Sequence, residues 1–178
     1  MTNIYNYIVG KNKDEYLVGN ELNGGFLLQM IEFAHTDQQI IDHTSDTQRF
    51  SSLENAQKWL KKASKYFFTL SPIKNRNHLA GIIWFENLEL PKILKDKYST
   101  SNWTFGIRIY QFHRGNGLAL PFMQTAFKKF LKQFPHQPVW LSTQLSNQTA
   151  TNLYQKFGFK KIGEVNNKAY FLYELDNR

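Results

Sequence analysis

The chain contains no cysteine. That excludes a disulfide framework, a thiolate metal site and any mechanism through a cysteine nucleophile. Long apolar runs are also missing: the longest, LAGIIWF at 79–85, is far too short to span a bilayer. The opening residues, MTNIYNYIVGKNKDEY, lack the basic-then-apolar order of a secretory signal, so a cytoplasmic protein with no membrane partner is expected. No repeat, low-complexity tract or linker breaks the sequence, and 178 residues suit one domain, 1–178, with a sizeable core. Acidic residues are in deficit, with 22 Lys and Arg against 14 Asp and Glu, a formal charge of +8. That balance suits an anionic ligand such as a nucleotide cofactor, and would also suit nucleic acid. Most of the lysines read as a solvated surface, and the densest clusters, KWLKKASK and KKFLK, fall on helix faces. What is present is the composition of a folded globule, 42% hydrophobic and 16% aromatic.

Short alternating runs, YNYIV, EYLVG and FLLQM, read as strands separated by KNKD and NELNGG. A short helical pattern surrounds Ile40 and Ile41. SSLENAQKWLKKAS reads as a helix, with Ser51 and Glu54 at capping-box spacing and Leu53, Ala56, Trp59, Leu60 and Ala63 on one face. YFFTL and HLAGIIWFE are strands, and the short link SPIKNRN makes them antiparallel neighbours. A longer connection, 87–102, has one helical turn after Pro91. WTFGIRIY (103–110), a helix from about Leu118 to Gln133, PVWLSTQL (138–145) and a helix over 147–158 stopped at Gly158 follow in order. FKKIGEV and AYFLYEL close the chain as a hairpin around NNK. The unit over 103–145 is strand, turn, helix, strand. It predicts a parallel pair with a right-handed crossover inside a mixed sheet with helices on both faces.

The turn of that unit, HRGNGLALPF, sets two glycines and an arginine before a helix. The first turn of a helix has unpaired amides and a positive dipole end, and bare glycines let an anion approach them. Arg114 would add a charge-assisted fork. A plain strand-to-helix turn with a solvated arginine reads equally well from this stretch alone. A nucleotide-triphosphate loop needs Lys-Ser/Thr after the last glycine, where Leu118 stands. A dinucleotide fingerprint needs a small residue at Leu120 and an acid after the next strand, where Ser142, Thr143 and Gln144 are neutral. A third pattern, Arg/Gln-x-x-Gly-x-Gly/Ala, is met at every fixed position by residues 114–119.

Here the sequence resembles the GNAT superfamily of acyl-CoA-dependent N-acyltransferases. After the arm and its helix come VWLSTQL and NQTATNLYQKFGFKKIGE. The latter is similar to the family's Asn-x-x-Ala-x-x-Leu-Tyr-x-x-x-Gly-Phe segment at Asn147, Ala150, Leu153, Tyr154, Gly158 and Phe159. LAGIIWF is similar to the family's preceding strand. The likeness covers about residues 50–175 and is strongest over 103–164. It implies an α/β (α+β) fold with a mixed, largely antiparallel sheet of about six or seven strands. The central parallel pair would be splayed, and helices would cover both faces.

The resemblance implies acetyl-CoA as acyl donor. Its pantetheine would lie between the two parallel strands, held by backbone around Ile107, Arg108 and Ile109. Its pyrophosphate would sit on amides of Arg114, Gly115, Asn116, Gly117, Leu118 and Ala119. Asn147 would bind from the opposite side, although it can also simply cap its helix. Tyr154 lies two helical turns beyond Asn147 on nearly the same face, and Ala150 between them leaves room for a thin ligand. Tyr154 is the expected general acid, with half-buried packing on the sheet as the plainer role. Leu153, Phe157 and Phe159 read as core. The Arg108 side chain faces either solvent or a cofactor phosphate.

Without cysteine, an amine attacks the thioester directly in a ternary complex. Strand 103–110 carries no carboxylate, so Glu86 on the neighbouring strand is the expected base, with Glu32 a second candidate; for both, a plain surface role stands beside it. His113 reads as an arm residue. The acceptor is a primary amine of a small molecule or a protein N-terminus, chosen by residues 20–50 and 87–102, and the protein is a monomer or homodimer. The alternative is a basic RNA-binding protein on the same fold, acting on charged tRNA or inactive. The charge motivates it, but no basic-aromatic single-strand platform is visible.

Overall fold

The computed structural model describes residues 4–95, 98 and 102–174. Eight strands form one sheet: β1 (Ile4–Val9), β2 (Glu15–Gly19), β3 (Lys65–Pro72), β4 (Gly81–Asn87), β5 (Trp103–Ile109), β6 (Val139–Gln144), β7 (Lys160–Val165) and β8 (Lys168–Tyr173). Their order is β1-β2-β3-β4-β5-β6-β8-β7, and every pairing is antiparallel except β5 with β6. The count is one above the expected six or seven. Asn166 and Asn167, with φ of 49° and 60°, make the tight turn between β7 and β8. Leu175, the last residue of the predicted closing strand, lies outside the described residues.

Seven helices are described: α1 (Gly24–Thr36), α2 (Gln38–His43), α3 (Asp46–Arg49), α4 (Leu53–Lys61), α5 (Lys92–Lys95), α6 (Ala119–Gln133) and α7 (Gln148–Phe157). Alternation along β4 divides the core. Ile83 and Phe85 join a cluster under α6 and α7, whereas Ile82 and Trp84 join one under α1 and α4. Phe85 stacks on Phe130 of α6 with ring centroids 4.0 Å apart. Each fully buried phenylalanine of this kind contributes about 1.5–3 kcal/mol. A third cluster, Leu90, Leu94, Trp140 and Leu172, anchors the 87–102 connection, of which residues 96, 97 and 99–101 lie outside the described set.

Two local expectations are corrected. FLLQM, expected as a strand, belongs to α1, whose first turn is capped by Asn23 accepting from the Phe26 amide at 2.9 Å. Its apolar residues, Phe26, Leu27, Met30, Phe33 and Ala34, are buried at helical spacing, which a five-residue window cannot distinguish from alternation. The cap of α4 is Ser52 rather than Ser51: Ser52 Oγ accepts from the Asn55 amide at 3.2 Å, while Ser51 Oγ takes Asn55 Nδ2 at 2.7 Å. Glu54 instead pairs with Lys58 one turn on. Of the predicted α4 face, Ala56 and Trp59 are buried and Leu53 is exposed.

Candidate active site

β5 and β6 share one registered pair, Thr104 with Trp140, and then diverge. The pair is splayed, and a cleft of about 990 Å³ opens between the strands. The C-terminal end of β5 leads through a 3₁₀ turn at Gln111–His113 into the glycine arm and α6. Gly115 and Gly117 adopt φ of 78° and 73°, a left-handed backbone that side chains rarely take. Among the described residues no side chain caps α6, and the amides of Ala119 and Leu120 in its first turn have no acceptor within the helix, while Pro121 has no amide N–H. A Cβ built on Gly115 would meet nothing within 4 Å, so the arm presents bare backbone to the cleft.

Of the residues expected to bind or act, Ile107, Arg108, Ile109, Arg114, Gly115, Gly117, Leu118, Ala119, Asn147, Tyr154 and Glu86 all line this one cleft. Asn116 does not; its carbonyl accepts from the Lys11 amide at 2.9 Å. Glu32 is exposed on α1, away from the cleft. Asn147 Oδ1 caps α7 through the Ala150 amide at 3.1 Å. Tyr154 is 8% exposed. Burial raises its phenol pKa, and the neighbouring Arg108 charge only partly opposes this. Glu86 is ion-paired with Lys65 at 3.1 Å.

Two arginines differ from expectation. Arg108 faces neither solvent nor a phosphate position. It donates from Nε and Nη2 to Asp46 at 2.6 and 2.9 Å, and from Nη1 to the Ile107 carbonyl at 2.9 Å. An arginine buried on a strand requires such a counter-charge. Burial alone would raise the Asp46 carboxyl, but Arg108 and Arg49 outweigh it and hold the pKa below the ordinary value. Arg114, expected to present its fork to an anion, has both terminal nitrogens on Asp37, at 2.8 and 2.6 Å.

The sequence reading missed Asp37, Asp46, Arg49 and Lys11. A buried-strand arginine signals an acid somewhere, but not that it lies 62 positions away. Lys11, on the β1–β2 turn, lays its methylenes 3.3–3.6 Å from the Cβ position of Gly117 and lines the cleft beside the arm. Behind the arm, His113 Nδ1 lies 3.1 Å from the Tyr16 hydroxyl. Among the described residues no helix is long and apolar enough to cross a membrane.

The sequence model of the acetyltransferase (GNAT) family matches residues 28–159. A curated relative, an N-alpha-acetyltransferase of Sulfurisphaera tokodaii, is 30% identical over 79 residues, 44% of each chain. The chain thus spans less than half the length of that relative. Among solved structures, a ribosomal L7/L12 alpha-N-protein acetyltransferase in complex with coenzyme A is similar at a TM-score of 0.70, 11% identity, and 99% and 100% coverage of this chain and that one. The spermidine N-acetyltransferase from Vibrio cholerae, in complex with CoA and spermine, is similar at a TM-score of 0.64, 18% identity, and 88% and 92% coverage. At these identities the likeness establishes the shared fold. The RNA-binding alternative draws no support from these matches.

Proposed function

The chain belongs to the GNAT family of acetyltransferases, and on that premise we propose that it transfers an acetyl group from acetyl-CoA to a primary amine by direct attack in a ternary complex. The observation that carries this reading is a single cleft joining the uncapped start of α6, the diverging edge of β5, Tyr154 and Glu86. Its bare glycine backbone and first-turn amides fit a diphosphate. Lys11 stands beside them as the cation that Arg114, engaged by Asp37, does not provide. The backbone of Ile107–Ile109, where β5 parts from β6, takes the amide-rich pantetheine arm as an added strand, with Asn147 on the opposite wall.

Acetyl-CoA supplies a thioester carbonyl for the amine to attack and a thiolate to leave. A backbone amide near Ile109 polarises that carbonyl. Tyr154 holds a proton through the neutral range, as a phenol does, and burial tightens its hold by raising the pKa further. It hands that proton to the departing sulfur. A free thiol has a pKa of about 8.5 and a phenol about 10, so the transfer needs contact, and general acid help of this kind is worth roughly 10²–10⁴ in rate. Glu86 takes the amine's proton, directly or through water. The acceptor is a small-molecule amine or a protein N-terminus. The protein works as a single domain, monomeric or homodimeric, in the cytoplasm. A thermal-shift titration with acetyl-CoA and with tRNA, followed by CoA release across an amine panel, tests this. Stabilisation by acetyl-CoA and thiol release are expected; a shift with tRNA alone would overturn the reading.

A further inference from the structure

The α1/α4 side of the cleft holds an uneven set of charges. Register pairs Trp84 with Gly106 and Glu86 with Thr104, and strand alternation turns both pairs to the α1/α4 face, opposite the Tyr154 cluster. Three cations meet two carboxylates there. Asp46 accepts from Arg108 twice and from Arg49 Nη1 at 2.8 Å, while Glu86 pairs with Lys65. The Asp46 and Lys65 side chains are 3% and 1% exposed. The group therefore carries one positive charge in excess, with Arg49 and Arg108 sharing the single carboxylate of Asp46.

That charge is presented by Arg49. Arg108 commits three of its five donors, one from each nitrogen, to Asp46 and the Ile107 carbonyl. Arg49 makes one hydrogen bond among the described residues, its side chain is 28% exposed, and it lines the cleft. Its guanidinium is held in place by the rings of Phe50, Trp59 and Trp84, each 5.8–5.9 Å from its central carbon. Glu86 is the one carboxylate among the described residues lining the cleft, and Lys65 already neutralises it.

We propose that Arg49 receives a carboxylate carried by the acceptor, so that the substrate is a primary amine bearing a carboxylate, its nitrogen toward Glu86 and the thioester. This rests on the acetyltransferase reading above and narrows its acceptor class. A guanidinium with idle donors in a partly desolvated wall is satisfied by a carboxylate, bidentately where geometry allows. A polyamine would bring only positive charge to a wall that already carries an excess of it. The same excess favours the neutral form of a bound amine, which is the form that attacks. The carboxylate has two sources: the α-carboxylate of a free amino acid, or an acidic side chain near a peptide N-terminus.

The test compares matched acceptors by CoA release at fixed acetyl-CoA. The common α-amino acids are each set against their carboxamides, hexapeptides starting Ser-Glu and Ser-Asp against Ser-Gln and Ser-Asn, and spermidine is included. At least one carboxylate-bearing member is expected to exceed its neutral partner by roughly ten- to a hundredfold in kcat/KM; the arm in which it appears identifies the source. Arg49→Gln brings that ratio towards one by raising the acceptor KM, with the acetyl-CoA thermal shift retained, and Arg49→Lys recovers part of it. Equal rates within every pair, or a preference for spermidine, overturn the proposal while leaving the acetyltransferase reading standing. Acetyl-CoA binding without thiol release for any acceptor overturns both.

Discussion

Arg114 and Asp37 form a two-point bridge, Nη1 to Oδ1 at 2.8 Å and Nη2 to Oδ2 at 2.6 Å, between the glycine arm and the junction of α1 with α2. Asp37 Oδ2 also accepts from the Gln111 amide at 3.1 Å, and its side chain is 1% exposed. One buried carboxylate thus holds both ends of the segment that enters the arm.

Asp37→Ala is expected to lower stability and weaken acetyl-CoA binding together. Breaking a fully buried pair costs about 3–5 kcal/mol, and because Arg114 is 25% exposed about 2 kcal/mol is expected here. Denaturant midpoints and an acetyl-CoA titration measure the two effects. Arg114→Lys should not restore them, since a lysine cannot span both oxygens.

Gly115→Ala and Gly117→Ala separate backbone strain from crowding. Both positions have left-handed φ, which costs a side-chain-bearing residue roughly 1–2 kcal/mol. Gly115 has open space for a methyl group, whereas at Gly117 it would press on Lys11 at 3.3 Å. Acetyl-CoA affinity should fall in both variants and further in Gly117→Ala, as read by calorimetry. Lys11→Ala should weaken the cofactor with little change in melting temperature.

Tyr154→Phe keeps the ring packed against Phe105, Phe159 and Phe171 and removes only the hydroxyl. Turnover should drop by roughly 10²–10⁴ with acetyl-CoA affinity kept. Because the native phenol titrates above its ordinary 10.0, kcat should show no Tyr154 limb below that pH. Turnover at the wild-type level in this variant would remove Tyr154 from the mechanism.

His113 gives a pH signature. Burial, then the neighbouring His78, press its imidazole below the ordinary 6.5, and Asp14 opposes them. As pH falls through 6.5 the unfolded chain takes the proton first, so the native state loses stability from there down to the lower native value. Once protonated, Nδ1 can only donate to the Tyr16 hydroxyl 3.1 Å away. Melting temperatures from pH 8 to about 5 should fall more steeply in wild type than in His113→Gln over that window.

Local chemistry was legible in the order of residues. Helix periods, the stop at Gly158, the Asn166–Asn167 turn and the bare arm at Gly115 and Gly117 depend on neighbours a few positions apart, and the structure has each of them. Where the local signal was short, as in FLLQM, two periods fitted equally and burial under the sheet chose the helix. The charge pairs were another matter. Arg108 with Asp46 and Arg114 with Asp37 join residues 62 and 77 positions apart. Ion pairing requires contact, and contact across such separations follows from sheet order and helix placement, which no run of adjacent residues encodes. The sequence alone therefore determined a bare glycine turn ahead of a helix. The tertiary structure decided which arginine braces that arm, which lies buried, and that Arg49 faces the cleft with donors to spare.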